Sequence, residues 1–161
     1  MCSRFEQQLS IGIVAINEVS FKPKDRHQLH RCLKGLQYIF ITPGLNEQIF
    51  SILESKIMSG KQATGRPGMS LWEILVLACV RMNLNIDYDF LVDQANNHRQ
   101  LREILGVAQS DFKIGKQYHL QTVVDNVGLL DEATISLINK SVVESGHGIV
   151  KKNWLLNRKL S

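Results

Sequence analysis

The sequence predicts a mainly α-helical bundle that contains a helix-turn-helix-like segment and leaves room for a short N-terminal strand. Apolar residues recur at three- to four-residue spacing along most of the chain, as at Leu29, Leu33, Leu36 and Phe40, which is the period of one buried helix face. Helix start and stop residues bracket these runs, with Ser70 and Glu73 or Asp87 before them and Gly106 after. With 161 residues, 44% of them hydrophobic and 7% aromatic, the chain can bury one core of Leu, Ile and Val or two small ones.

Residues 1–24 read as an N-terminal arm. Its stretch 9–21, LSIGIVAINEVSF, is rich in β-branched residues and is the candidate strand, although Gly12 interrupts the alternation. Residues 25–59 read as a helical pair. Pro23 opens the first helix, whose Arg26, His30, Arg31 and Lys34 make a basic side. That side is read first as a solvated surface and second as a phosphate-contacting one. The segment 41–44, ITPG, breaks the chain, and the second helix turns Ile49, Ile52, Leu53 and Ile57 inward. Residues 60–69, rich in glycine, form a linker in which Arg66 is a candidate phosphate contact.

Residues 70–150 read as a second helical unit, of which 70–106 is the helix-turn-helix-like part. Positions 71–80 are apolar except for Glu73, too short a run for the roughly 20 residues that a membrane-spanning helix needs. Ser70 and Glu73 have capping-box spacing, Met69 can staple to Ile74, and Arg81 and Asn83 close the helix. Asp87 caps a second helix with Tyr88, Leu91, Val92 and Ala95 inward and Asp89 and Asp93 outward. After Asn96 and Asn97 a third, short helix buries Leu101, Ile104 and Leu105, ends at Gly106, and points His98, Arg99, Gln100 and Arg102 outward. Residues 107–119 form a loop with Lys113 and Lys116. Two further helices follow, one turning Leu120, Val123, Val124 and Val127 inward, the other capped by Asp131, striped by Ile135, Ile138 and Val142, and stopped at Gly146.

The formal charge of +4 comes from 19 basic and 15 acidic residues, but Lys151, Lys152, Arg158 and Lys159 lie in the basic tail, 151–161. Without them the body is neutral. Four tail contacts with phosphates would contribute a salt slope of about −3.6, at roughly −0.9 each, which is modest and sequence-independent. Cys2, Cys32 and Cys79 are odd in number and widely spaced, as in a reduced cytosolic chain. His27, His30 and Cys32 lack a second cluster at zinc-ligand spacing, so no metal and no cofactor are expected. No secretory signal and no membrane partner are expected either; the expected location is cytoplasmic and nucleoid-associated.

Three helices with short polar turns, the last displaying Arg, Gln and His, match the layout with which a helix-turn-helix reaches base edges and phosphates. Layout alone favours plain helical packing. The run 64–106, TGRPGMSLWEILVLACVRMNLNIDYDFLVDQANNHRQLREILG, resembles the region near the start of bacterial insertion-sequence transposases of the ISNCY group, relatives of the insertion-sequence-five-like families. The resemblance rests on Gly65, Arg66 and Pro67, the apolar helix 71–80, the Asp-Tyr-Asp stretch 87–91, and the Ala-Asn…His…Leu-Arg-x-x-Leu-Gly stretch 95–106, and it continues in order through 118–152.

The resemblance implies a DDE-type nuclease domain in which three carboxylates hold two divalent metals. Such a domain is expected beyond these residues, so the chain reads as a truncated N-terminal region, not an enzyme by itself. The divalent metal belongs to that missing domain. Asp87, Asp89 and Asp93 lack the converging spacing that two ions require, and Ser145 beside His147 is no triad. The expected partner is double-stranded DNA at the transposon ends, the terminal inverted repeats, contacted by His98, Arg99, Gln100 and Arg102, with Arg66, Lys113, Lys116, Lys151 and Lys152 in support. These sites come from the helix-turn-helix layout, not from matched binding residues. The alternatives are a protein–protein module that self-associates or inhibits full-length transposase, and a pseudogene product without function.

Overall fold

The computed structural model describes residues 3–5, 11–59, 68–108 and 115–146. Seven helices follow one another through them: α1 (Gln28–Ile41), α2 (Pro43–Ile57), α3 (Leu71–Leu84), α4 (Tyr88–Asn97), α5 (Arg99–Leu105), α6 (Leu120–Val127) and α7 (Glu132–Ser145). The expected mainly helical bundle is what forms. No strand occurs among the described residues. In the part of the candidate strand that is described, the chain turns at Ile11 and Gly12, with Gly12 at φ 89°, and then makes a single 3-10 turn at Ile16–Glu18. Ile16 and Val19 are buried while Asn17 and Glu18 face solvent, a spacing of three that suits a helical turn and not a pleat.

The apolar helix α3 is the central element. Trp72, Ile74, Leu75, Val76, Leu77 and Val80 are fully buried, and α1, α4, α5 and α6 all pack on it. It starts as expected: the Ser70 side chain accepts from the Glu73 amide while the Glu73 carboxylate accepts from the Ser70 amide, satisfying two backbone donors that helix geometry leaves free. It ends later than expected, at Leu84, where Asn85 takes the left-handed conformation at φ 51°. Trp72 fixes the neighbouring layer, its indole N–H donating to the Ile104 carbonyl at 2.8 Å and its ring lying 5.0 Å from that of Phe40.

The expected helical pair also forms, with two differences. α1 begins at Gln28, not beside Pro23, because Asp25 accepts from the His27 amide and holds residues 22–27 in a turn. The break at 41–44 shrinks to Thr42 alone, since Pro43 occupies the first turn of α2, where its missing N–H costs nothing. α2 packs on α7, whose cap is Asp131 as expected. In α6 Val123 and Val127 are buried, but Leu120 is turned out to solvent. The residues of α1 and α2 share one continuous apolar core with those of α3 to α7.

Candidate nucleic-acid interface

α4 and α5 meet at one residue. His98 closes α4, its amide donating to the Gln94 carbonyl, and at the same time caps α5, its Nδ1 accepting from the Leu101 amide at 3.2 Å. The ring must therefore keep Nδ1 unprotonated for the cap. Burial first, and then the charges of His30 and His27, hold the His98 pKa below its ordinary value. The three rings are neighbours: His98 lies 5.7 Å from His30, and His30 lies 5.0 Å from His27. The far side of His30 bonds Asp25. Sequence reading found each histidine but not their meeting, because 68 positions separate His30 from His98.

The four candidates expected to face outward from α5 separate in the structure. Arg99 does so, with its side chain 80% exposed and an ion pair to Glu103 one turn on, at 3.0 Å. Gln100 reaches back to the carbonyl of Ser20 at 3.1 Å. His98 is the half-buried cap described above.

Arg102 does the opposite of what was expected. It is fully buried, and its guanidinium donates to the carbonyls of Ala95 at 3.0 Å, Ala108 at 2.8 Å and Lys116 at 2.9 Å. Burial lowers its pKa from the ordinary value. A planar fork with five donors suits three convergent carbonyls, which explains an arginine inside the protein without a carboxylate beside it. The outward expectation for Arg102 is thus corrected, since a buried guanidinium offers a duplex no contact surface.

Lys116 is also engaged within the protein. Its Nζ lies 2.6 Å from Glu73 Oε1, which also accepts from the Tyr118 hydroxyl at 2.7 Å, while Glu73 Oε2 accepts from Ser70. Asn96 then pairs with both backbone groups of Tyr118, at 2.8 and 2.9 Å. Burial pushes the Glu73 carboxyl up, but Lys116 and the hydrogen bonds outweigh it and leave the group below its ordinary value. A cavity of about 540 Å³ borders this network and is also lined by Arg4, Phe5 and Leu105. Because both carboxylate oxygens already accept hydrogen bonds, Glu73 serves here as a packing junction between α3 and the segment before α6.

Of the remaining candidates, Arg66, Lys113, Lys151 and Lys152 lie outside the described residues, as does the tail. Among the described residues no group of three His, Cys, Asp or Glu side chains is placed to hold a metal ion; Cys32 is buried. No described helix is long and apolar enough to cross a membrane. No protein-family model matches the chain, and no match is found among curated proteins or solved structures.

Proposed function

We propose that this chain is the DNA-binding N-terminal region of an insertion-sequence transposase and that it binds the terminal inverted repeats of its element. One observation supports this reading beyond the sequence resemblance: exposed Arg99 at the start of α5 lies on the same edge as the basic start of α1. The His30–His98 contact and the bond from Gln100 to Ser20 tie the two together. Arg99 supplies the fork that reads a guanine edge. Its ion pair with the buried Glu103 carboxylate is the interaction with which such a contact competes. The chain's part in transposition is then binding, with metal-dependent chemistry assigned to the catalytic domain that the resemblance implies. A nucleoid location follows from this reading.

A second reading, self-association, is favoured by a different observation. Phe90 on α4 and Leu120 on α6 are large apolar side chains exposed on two helices packed together. Association through them survives high salt, whereas DNA binding does not.

The test is binding to a labelled terminal repeat beside a random duplex of equal length, for the wild type and Arg99→Ala. Preference for the repeat that falls in the variant supports the proposal. Equal binding to both duplexes, or no change on substitution, defeats it.

A further inference from the structure

Cations in this protein are distributed unevenly between paired and unpaired positions. Arg4, Lys56, Arg99, Lys116 and Lys140 each face a carboxylate within 4 Å. Arg81 lies over the Tyr88 ring, and Arg102 is held by carbonyls. Apart from these two, the described cations with no ion pair to a described acid are Lys22, Lys24, Arg26, Arg31 and Lys34, all within one stretch of 13 positions. Lys34 donates to the Lys22 carbonyl and lies over the Phe21 ring, so it braces the turn. Lys22, Lys24 and Arg26 are exposed, and with Pro23 and Asp25 they line an open cleft of about 670 Å³.

The acid within this stretch is Asp25, and it is already engaged. It accepts from the His27 amide and from the His30 ring, and these two bonds, the backbone one first, hold its pKa below the ordinary carboxylate value. Its charge is thus spent inward on the turn. Lys22, Lys24 and Arg26 around it are left facing water, at the cost of mutual repulsion that a folded surface ordinarily relieves with nearby acids.

We infer that the cleft from Lys22 to Arg26, extended along α1 by Arg31, is a binding site for the phosphodiester backbone of duplex DNA, adjoining the start of α5. A row of phosphates supplies the negative charges that this surface lacks, and release of condensed counterions drives the association without regard to base sequence. The site does not depend on α5 reading a repeat. The bracing of Lys34 and Asp25 keeps the turn in shape whether or not DNA is present, so little ordering accompanies binding.

The experiment measures binding of the full chain to a random-sequence duplex across a salt series. The variants are Lys22→Gln/Lys24→Gln/Arg26→Gln/Arg31→Gln and, for comparison, the same replacement at Lys151, Lys152, Arg158 and Lys159. Four lost phosphate contacts at about 0.9 each make the slope of log affinity against log salt shallower by roughly 3.6 in the first variant. A first variant with the wild-type slope overturns the inference, as does wild-type binding to phosphatidylserine vesicles without binding to the duplex.

Acetylation footprinting of the wild-type chain gives the same answer without relying on a variant's folding. Duplex DNA should protect the amines of Lys22 and Lys24 several-fold while Lys56 and Lys140 react unchanged. Equal reaction of Lys22 and Lys24 with and without DNA overturns the site. Protection by random duplex with no preference for a terminal repeat sinks the transposon-end reading and leaves this site standing; repeat preference without protection does the reverse.

Discussion

The Tyr118 hydroxyl donates to Oε1 of Glu73 at 2.7 Å, joining the segment before α6 to the first turn of α3. Both groups are buried, and the bond is charge-assisted, a class worth about 1.5 to 3 kcal/mol. Tyr118→Phe should therefore lower unfolding free energy in urea by about 2 kcal/mol while keeping helical circular dichroism. Ser70→Ala removes the hydroxyl that accepts from the Glu73 amide and donates to the other carboxylate oxygen, Oε2, and should cost about 1 kcal/mol. Because Ser70 and Tyr118 share Glu73, the double variant should depart from additivity by at least about 0.5 kcal/mol.

Arg99 and Arg102 make opposite predictions although they are three positions apart. Arg102→Met leaves three carbonyls short of their donors and should destabilise the fold by about 3 kcal/mol or more. Arg99→Ala takes one partner from the buried Glu103 carboxylate and should cost about 1 to 2 kcal/mol, less than Arg102→Met, but weaken DNA binding. Urea titrations beside anisotropy with a labelled duplex, in conditions where both variants are folded, separate the two roles. Substantial DNA loss in folded Arg102→Met with no loss in Arg99→Ala would reverse the assignment.

His98 couples stability to acid. Its folded pKa is held down by burial and then by His30 and His27, so between that value and the ordinary histidine value of about 6.5 the unfolded chain binds more protons than the folded one. Stability from this group is complete above the ordinary value and is lost as pH falls through the folded one. The urea midpoint should drop between about pH 7 and pH 5, and drop less in His98→Asn, whose side chain caps a helix without titrating there. An unchanged profile in that variant would show that the acid sensitivity arises elsewhere.

The capping box, the Asp87 and Asp131 caps and the left-handed Gly106 were legible because each is a local spacing rule acting within one helix turn. The buried direction of Arg102 was not. Its carbonyl partners at Ala108 and Lys116 lie 6 and 14 positions on in a stretch with no periodicity, so nothing within α5 distinguishes an inward arginine from an outward one. Residues 9–21 misled for a related reason. β-branched content reports fit to a half-buried surface, and a 3-10 turn packed on α1 buries Ile16 and Val19 as effectively as a pleat would. The basic side of α1 was visible in the sequence, but its junction with α5 depends on His30 meeting His98.

Asn85 offers a backbone test. At φ 51° it adopts a conformation that costs most L-residues roughly 1 to 2 kcal/mol and asparagine less. Asn85→Val should destabilise by about that amount, whereas Asn85→Gly should be neutral or mildly stabilising in thermal melts. If valine were tolerated as well as glycine, the left-handed closure of α3 would be in doubt.

Arg102 holds Ala108 and Lys116 through a single guanidinium. Gly115 is needed beside it, because a methyl group there would come within 2.8 Å of the Ala108 carbonyl oxygen and 2.7 Å of the guanidinium. One buried side chain thus ties two separate segments of the chain to α5, so that losing it releases both at once.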